Sequence, residues 1–321
     1  MTIHSKLAIS FILTLSSLSC FGKRTSVVSK YGQLSIDSIF MKSEQGEPVQ
    51  LKGMSFFWSQ WQSQYWNKGV VKFLARDWNC GIVRAAMGVG KGGYLTYPQV
   101  EQAKVETIVN AAIKEDIYVI IDWHSHHAED NLKEAKIFFA NMAQKYGENP
   151  HVLYEIYNEP LCTWEEIKVY AEEVIDTIRH HDPDNIIIVG TPTWSQKVDA
   201  ATANPIDANN IAYTLHFYAA THKQELRDIA QVAIDRGFCV FVTEFGTCKA
   251  SGNGTLDFEE TELWMEWMDK YKISWCNWSV CDKNESASAL KPEANTWGNW
   301  LDYQLTESGK FIRNKLLEMV Y

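Results

Sequence analysis

Two glutamates each follow a run of apolar and aromatic residues that indicates a buried strand. Glu159 comes shortly after the run 152–157, and Glu244 comes directly after the run 239–243. A carboxylate at the end of a buried strand is costly unless it is paired or takes part in chemistry. Two carboxylates about 5–5.5 Å apart on one ligand suit retaining glycoside hydrolysis, and two salt-bridged glutamates are the structural alternative.

Strand-like runs that alternate with amphipathic segments position these residues. Strands are predicted at 49–56, 81–87, 117–123, 152–157, 186–190, 211–217, 239–245 and 273–280, and helices at 68–78, 98–115, 132–146, 164–181, 223–236, 258–270 and 307–319. Near-continuous apolar strands between helices indicate a parallel sheet that is covered by helices. Eight such units predict an α/β fold of the (β/α)8 barrel type.

Two further features bear on this fold. A short N-terminal β-hairpin is predicted within residues 33–49, with its turn at 45–48. A doubly wound sheet is the alternative to the barrel, but the glycine-rich stretch 86–93 lacks the Gly-x-Gly-x-x-Gly order of a phosphate-binding turn. We therefore expect one barrel domain.

The active site of such a barrel lies at the carboxyl ends of its strands. Charged and aromatic residues end nearly every predicted strand: Arg84, Asp122, His124, Asn158, Glu159, Trp194, His216, Tyr218, Glu244 and Trp278. The fourth and seventh predicted strands, which carry the two glutamates, lie across the barrel mouth from each other. The two carboxylates are thus expected to face one ligand.

The segment His124-Ser125-His126-His127 supports a rival interpretation. A His-x-His pair at a strand end can hold zinc in a metal-dependent barrel hydrolase, and Asp122 or His216 could join it. No further His or carboxylate set completes a convincing shell, so we expect no metal and no other cofactor. We also expect His126 and His127 to be dispensable. A catalytically inactive carbohydrate-binding barrel is a second alternative, which the intact glutamates disfavour.

Composition limits the classes of partner. The chain has 321 residues, of which 46% are hydrophobic, and a net charge of −10. This acidic balance without a block of Lys and Arg argues against nucleic-acid binding. The longest apolar run, 7–18, is too short for a bilayer span of about 20 residues. The 13 Trp, 14 Tyr and 14 Phe exceed what core packing usually needs.

The first residues indicate export. Residues 1–25 are predicted to be a signal peptide, in which Cys20 stands where a lipoprotein would carry its lipid anchor. Residues 26–321 then form a single catalytic domain that is secreted, periplasmic or held at the outer surface, and we expect a monomer. The six later cysteines leave room for one or two disulfides whose pairing the sequence does not define.

Several strand-end motifs resemble those of glycoside hydrolase family 5. They are Val83-Arg84-Ala85-Ala86-Met87, Tyr157-Asn158-Glu159-Pro160, Leu215-His216-Phe217-Tyr218 and Val242-Thr243-Glu244-Phe245-Gly246. The segment 275–286, with Trp278, Lys283 and Glu285, resembles the glucose-binding loop of bacterial endoglucanases of that family. The resemblance runs from about Leu51 to the end of the chain.

This resemblance implies a role for each matching residue. Glu159 corresponds to the general acid/base and Glu244 to the nucleophile, and chemistry requires the former to be protonated near neutrality and the latter ionised. Arg84 corresponds to the arginine that keeps the nucleophile charged, and Asn158 to the residue that binds the sugar 2-hydroxyl. His216 and Tyr218 correspond to residues that orient the glutamates. Sugar contacts are expected from His124, Trp61, Trp194, Trp278, Lys283 and Glu285.

The implied activity is endo-β-1,4-glucanase on cellulose-type chains, with retention and without a cofactor. The alternative is the same machinery on another β-1,4-linked polymer, such as mannan, glucomannan or xyloglucan. The chain departs from many relatives at Phe56-Phe57, where they carry a His, and at Gly88, where they carry a Tyr. Both departures lie near the donor subsites, so preferences there do not transfer directly.

Overall fold

The structure, a computed structural model, describes residues 26–321. Two short antiparallel strands, β1 (Ser35–Asp37) and β2 (Phe40–Lys42), precede eight parallel strands: β3 (Lys52–Phe56), β4 (Ile82–Gly88), β5 (Tyr118–His124), β6 (Val152–Glu155), β7 (Ile187–Val189), β8 (Ile211–Tyr218), β9 (Val240–Gly246) and β10 (Trp275–Val280). The eight close into a barrel in which β10 pairs with β3. The predicted (β/α)8 barrel is confirmed. The predicted signal peptide and Cys20 lie outside the described residues.

A helix follows each of the eight barrel strands, and one further helix precedes the N-terminal hairpin. They are α1 (Val27–Tyr31), α2 (Lys68–Asp77), α3 (Pro98–Glu115), α4 (Leu132–Tyr146), α5 (Trp164–Arg179), α6 (Pro192–Ser195), α7 (Gln224–Asp235), α8 (Phe258–Tyr271) and α9 (Glu307–Leu317). All seven predicted helices are present among them, whereas α1 and α6 are additions. α6 is a single turn at the barrel mouth.

Local sequence signals explain where the helices begin. The side chain of Asn67 accepts hydrogen bonds from the backbone N–H groups of Gly69 and Val70 at the start of α2. Thr163 and Glu166 form a capping box at the start of α5. Each such cap satisfies N–H groups that have no partner within the helix and contributes about 1 kcal/mol.

The N-terminal segment packs at the end of the barrel opposite the site. The N–H of Ile36 donates to Asn210 Oδ1 at 2.9 Å, just before β8, and Tyr118 at the start of β5 donates to the carbonyl of Gly32 at 2.7 Å. The hairpin is confirmed, but the turn between its strands lies at Ser38–Ile39 rather than at 45–48. Ser38 adopts a left-handed φ of 56° there, which its residue type does not signal. The predicted turn follows β2 and brings Pro48 back beside Lys42.

Residues 26–321 bear on two expectations, that one or two disulfides could form and that the chain does not span a membrane. The six cysteines in this range are all free thiols, so the disulfides that the sequence allowed are not formed there. In the same range, no helix is both long enough and apolar enough to cross a bilayer.

Candidate active site

Glu244, on β9, is held by two donors. Arg84 Nη1 lies 3.0 Å from Glu244 Oε2, and the Tyr218 hydroxyl donates to Glu244 Oε1 at 2.7 Å. Arg84 is fully buried, and Glu244 is 5% exposed. A guanidinium and a phenol that donate to the same carboxylate stabilise its charged form and fix its orientation. These contacts fit the role expected of a nucleophile.

Arg84 lies at the centre of a buried network that joins four strands. Its Nε donates to Glu155 Oε2 at 2.6 Å, and its Nη2 lies 2.6 Å from Asn158 Oδ1 and 3.0 Å from Asp122 Oδ2. Burial disfavours the charge of Arg84, but the three carboxylates outweigh this effect and raise its pKa. Burial also raises the pKa of Asp122, to about 7, although Arg84 acts in the opposite direction.

Glu159 follows β6 and is held by a histidine at each oxygen. His216 Nδ1 lies 3.0 Å from Oε1, and His126 Nε2 lies 3.0 Å from Oε2. Burial raises the pKa of Glu159, but the hydrogen bonds of His126 and His216 outweigh it and lower the pKa below its usual range. The substrate-free site thus favours the carboxylate form, in contrast to the expected protonated acid, because both oxygens have donors.

The two glutamates are close neighbours, as the strand ends predict. One carboxylate oxygen of Glu159 and one of Glu244 lie within 4.8 Å of each other. They face an open cleft of about 620 Å³ at the carboxyl ends of the strands. The lining of this cleft includes the predicted sugar-contacting residues His124, Trp61, Trp194, Trp278, Lys283 and Glu285.

The predicted tryptophans differ in how much of their rings they expose. Trp61 and Trp194 are 60% and 47% exposed and stand at the rim of the cleft. Trp278 is only 5% exposed, because its ring stacks on His124 with centroids 5.2 Å apart and planes 6° apart. Trp278 therefore offers the cleft less open ring surface than the expected platform.

A strained turn presents Trp194 to the cleft. Thr193, Trp194 and Ser195 all have left-handed φ values, 60°, 54° and 57°, which cost roughly 1–2 kcal/mol each for ordinary residues. The turn is held by hydrogen bonds from Ser195 Oγ to the carbonyl of Asn158 and from the Trp194 N–H to the carbonyl of Pro160. These bonds tie the turn to the strand end that carries Glu159. Strain maintained in this way is typical of functional sites.

Lys283 and Glu285 form an ion pair at one end of the cleft. Lys283 Nζ lies 2.5 Å from Glu285 Oε2, and the side chains are 54% and 8% exposed. Lys283 Nζ also lies 5.5 Å from the centre of the Phe57 ring. The pair is thus fixed beside the aromatic wall of the cleft, as the sequence spacing suggests.

Some residues of the site were not assigned a catalytic or binding role from the sequence, among them Trp58, Glu155 and His126. Trp58 lines the cleft, and its ring centre lies 4.1 Å from that of His124. Glu155 is fully buried against Arg84, and His126 contacts Glu159. Trp58 and His126 each lie two residues after the end of a strand. The expectation that the active site lies at the carboxyl ends of the strands could therefore have identified them.

The structure also explains the departure at Gly88. A Cβ atom built at Gly88 would lie 1.8 Å from Oε1 of Gln60, so the Gln60 side chain fills the space beside this glycine. Ser59 Oγ accepts a hydrogen bond from the Gly88 N–H at 2.9 Å. The loop that carries Phe57 and Trp58 therefore fills the space that a side chain at position 88 would need.

The two histidines that suggested zinc are engaged separately. His124 Nδ1 lies 2.7 Å from Asp122 Oδ2, and burial lowers the pKa of His124 well below its usual value, with a further contribution from Arg84. His126 is directed to Glu159 instead. Among residues 26–321, two clusters of acidic and His groups are close enough to share an ion: His127 with Glu129 and Asp130, and His216 with Glu159 and Glu244. Neither cluster contains His124 or His126, so the predicted His-x-His pair is not brought together on one ion.

A (β/α)8 barrel with two facing carboxylates in an aromatic-walled cleft defines the class of the glycoside hydrolases that work through a carboxylate pair. Residues 42–284 match the model of the family described as cellulase (glycosyl hydrolase family 5). The chain belongs to this family.

Individual relatives agree with that assignment. Endoglucanase Z of Dickeya dadantii is 47% identical over 316 residues, which are 95% of this chain and 72% of that protein. A solved structure from Cytophaga hutchinsonii is 56% identical with a TM-score of 0.90, and the match covers 91% of this chain and 96% of that one. The catalytic domain of Thermobifida fusca endoglucanase Cel5A is 37% identical with a TM-score of 0.88, over 91% of this chain and 100% of that one. That domain has also been solved with cellotetraose.

Proposed function

We propose that the chain is a retaining endo-β-1,4-glucanase that hydrolyses internal bonds of cellulose-type glucans. The observation that carries this proposal is the distance between the carboxylates of Glu159 and Glu244, whose nearest oxygens lie within 4.8 Å. Retaining enzymes need about 5–5.5 Å between the two groups, whereas inverting enzymes need about 6.5–9.5 Å to admit a water. The spacing therefore supports double displacement.

In the first step, an oxygen of Glu244 attacks the anomeric carbon while Glu159 donates its proton to the glycosidic oxygen. Arg84 and Tyr218 donate hydrogen bonds to the two oxygens of Glu244 and orient this carboxylate for the attack. The leaving chain departs with the proton, and the remaining glucan is bonded covalently to Glu244. In the second step, Glu159 removes a proton from water, which attacks the anomeric carbon and releases Glu244.

Substrate contacts follow from unsatisfied polar groups and exposed rings. Asn158 Nδ2 is buried and has no hydrogen-bond partner within the described residues, while Asn158 Oδ1 is held by Arg84. A fixed, unpaired donor next to Glu159 suits the sugar 2-hydroxyl. Trp61 and Trp194 at the rim offer open ring faces to the apolar faces of glucosyl units. The relatives named above as endoglucanases support a glucan as the polymer.

The proposed place of action is outside the cytoplasm. The predicted signal peptide 1–25, with Cys20 as a site for a lipid anchor, supports a secreted, periplasmic or surface-held enzyme. Cell fractionation combined with a Cys20→Ser variant tests this directly. Glucanase activity that stays in the cytoplasmic fraction would overturn the proposed location.

The proposed activity is tested by measuring the release of reducing sugar from carboxymethylcellulose, galactomannan, xyloglucan and xylan under the same conditions. We expect the highest rate on carboxymethylcellulose, together with a rapid fall in its viscosity because internal bonds are cut. A higher rate on galactomannan or xyloglucan would replace the proposed substrate. The Glu244→Gln variant, purified in the same way, is the control for contaminating activity.

A further inference from the structure

The two oxygens of Glu159 have different surroundings. The histidine at Oε1, His216, is 2% exposed and lies on strand β8. The histidine at Oε2, His126, is 36% exposed and lies in the loop after β5. Because His216 is enclosed and His126 reaches solvent, Oε2 has the more accessible partner of the two oxygens.

The hydrogen bonds behind His216 define where its protons lie. The Thr243 hydroxyl donates to Glu155 Oε1 at 2.6 Å, so its oxygen accepts from His216 Nε2 at 2.8 Å. His216 therefore carries a proton on Nε2, and its Nδ1 faces Glu159 Oε1 at 3.0 Å. The position of His216 is thus fixed by Thr243 behind it, inside the barrel.

His126 meets a different set of groups. Its backbone carbonyl accepts a hydrogen bond from the Tyr157 hydroxyl at 3.0 Å, and its ring centre lies 5.8 Å from that of Trp58, so the ring is held between two elements. The titratable groups around it come from several elements: Glu159 after β6, Glu244 on β9, His216 on β8, His124 on β5, His222 after β8, and His127 and Glu129 on its own loop. The two carboxylates favour a proton on Nε2, which is the nitrogen that faces Glu159.

We propose that His126 is a positioning residue for the acid/base step. It donates a hydrogen bond to Oε2 of Glu159, orients this carboxyl group and sets the pH above which Glu159 no longer carries the proton that it donates. The inference rests on the proposed function and assigns a role to a residue that the sequence suggests only as a zinc ligand, and it replaces the expectation that His126 is dispensable. His126 itself does not bond to the reacting atoms.

The direction of the effect follows from the chemistry of the carboxyl group. A donor at Oε2 stabilises the charged form of Glu159, so the acid releases its proton more readily and at lower pH. Without this donor, Glu159 keeps its proton to higher pH but is a weaker and less well-oriented acid. Loss of His126 should therefore lower the rate on poor leaving groups and also move the alkaline limb of the pH profile upward.

The test is the pH dependence of kcat/KM on cellotetraose for the wild type and three variants. His126→Ala and His126→Leu both remove the donor, and the latter keeps bulk against Trp58. His126→Gln retains an amide donor without a titratable ring. His127→Ala is the matched control, because that neighbouring side chain is 60% exposed and is directed to Glu129. Thermal unfolding of each variant confirms that it is folded.

We expect the alkaline limb of the pH profile to move to higher pH by about one unit in His126→Ala and His126→Leu, and by less in His126→Gln. It should not move in His127→Ala. On 2,4-dinitrophenyl β-cellobioside, whose leaving group needs no acid, kcat/KM of the wild type and of every variant should show no alkaline limb. A uniform loss of activity with an unmoved limb in the Ala or Leu variant would overturn the role of His126. A wild type that fails to hydrolyse cellotetraose would instead overturn the proposed function.

Discussion

Arg84 Nη1 and Glu244 Oε2 lie 3.0 Å apart inside the barrel, where the arginine has no contact with solvent. The same guanidinium also binds Glu155, Asp122 and Asn158, so one cation links the proposed nucleophile with the residue that precedes the proposed acid. Three carboxylates depend on this one charge.

Substitution of Arg84 should therefore affect folding and catalysis in different ways. Arg84→Met removes the cation from three buried carboxylates and should destabilise the protein by about 3–5 kcal/mol. Arg84→Lys keeps a charge but lacks the planar fork, so it should fold yet lose about 100-fold or more in kcat. Urea unfolding and cellotetraose kinetics measure the two effects. Near wild-type kinetics in the lysine variant would show that the fork is not needed.

The two glutamates should differ in their response to the leaving group. Glu244→Gln has no nucleophile and should lose more than about 1,000-fold in turnover on every substrate. Glu159→Gln should lose about 100-fold or more on cellotetraose but keep the first step on 2,4-dinitrophenyl β-cellobioside, which needs little help from an acid. Burst kinetics on the activated substrate separate the two steps. If both variants respond alike to the activated leaving group, the roles are assigned incorrectly.

Chelation distinguishes the carboxylate mechanism from a metal-dependent one. Prolonged treatment with EDTA followed by desalting should leave the rate on carboxymethylcellulose unchanged, because the proposed steps use only side chains and water. A parallel sample that receives zinc after desalting is the control. Loss of activity with EDTA and its recovery with zinc would establish a metal-dependent enzyme.

Lys283 and Glu285 should contribute to the preference for glucose. Their fixed ion pair can bind the equatorial hydroxyls of a glucosyl unit, whereas mannose has an axial 2-hydroxyl that would leave a hydrogen bond unmade. A loss of at least about 1.4 kcal/mol, within the range of about 1–3 kcal/mol for an unmade hydrogen bond, corresponds to a preference for glucan of roughly tenfold or more.

Variants of this pair test that preference on substrates of different length. Lys283→Ala and Glu285→Ala should reduce kcat/KM on cellotriose and cellotetraose more than on carboxymethylcellulose, where other subsites compensate. Lys291→Ala is the matched control, since Lys291 is an exposed lysine that follows this segment and does not line the cleft. Equal rates on pure mannan and on glucan, with short substrates unaffected by the variants, would contradict this role.

Asp122 should make the stability of the fold depend on pH. Its pKa rises from 3.8 to about 7 on burial, so the folded protein binds this proton more tightly than the unfolded chain does. The stabilisation is complete below about pH 4 and is lost as the pH rises through about 7. The unfolding midpoint of the wild type should thus fall more steeply between about pH 5 and 8 than that of Asp122→Asn. Asp130→Asn, on an exposed side chain, is the control, and equal slopes for the wild type and Asp122→Asn would contradict the prediction.

The catalytic pair could be predicted because its position depends on simple periodicity. Glu159 and Glu244 follow apolar strands, and parallel strands of a barrel bring their carboxyl ends to one face. Arg84 could be predicted for the same reason. Its partner Glu155 could not, since Glu155 lies within a predicted strand and its orientation toward the barrel interior depends on the shear of the closed sheet.

Features of loops were harder to predict. The contact of His126 with Glu159 depends on a loop whose path is fixed by Tyr157, a residue on another strand end. The hairpin turn at Ser38 has no Gly or Asn to indicate its left-handed φ, whereas the Gly-Glu-Pro segment that follows does indicate a turn. The burial of Trp278 against His124 is a tertiary contact that no local pattern encodes.

Trapping of the covalent intermediate tests whether hydrolysis proceeds by double displacement through Glu244. The protein is incubated with 2,4-dinitrophenyl 2-deoxy-2-fluoro-β-cellobioside, and its peptides are then mapped by mass spectrometry. Double displacement through Glu244 predicts one fluorocellobiosyl group, attached to Glu244, and a loss of activity in proportion to labelling. Attachment to Glu159, or full activity and no label in a preparation that hydrolyses cellotetraose, would contradict it.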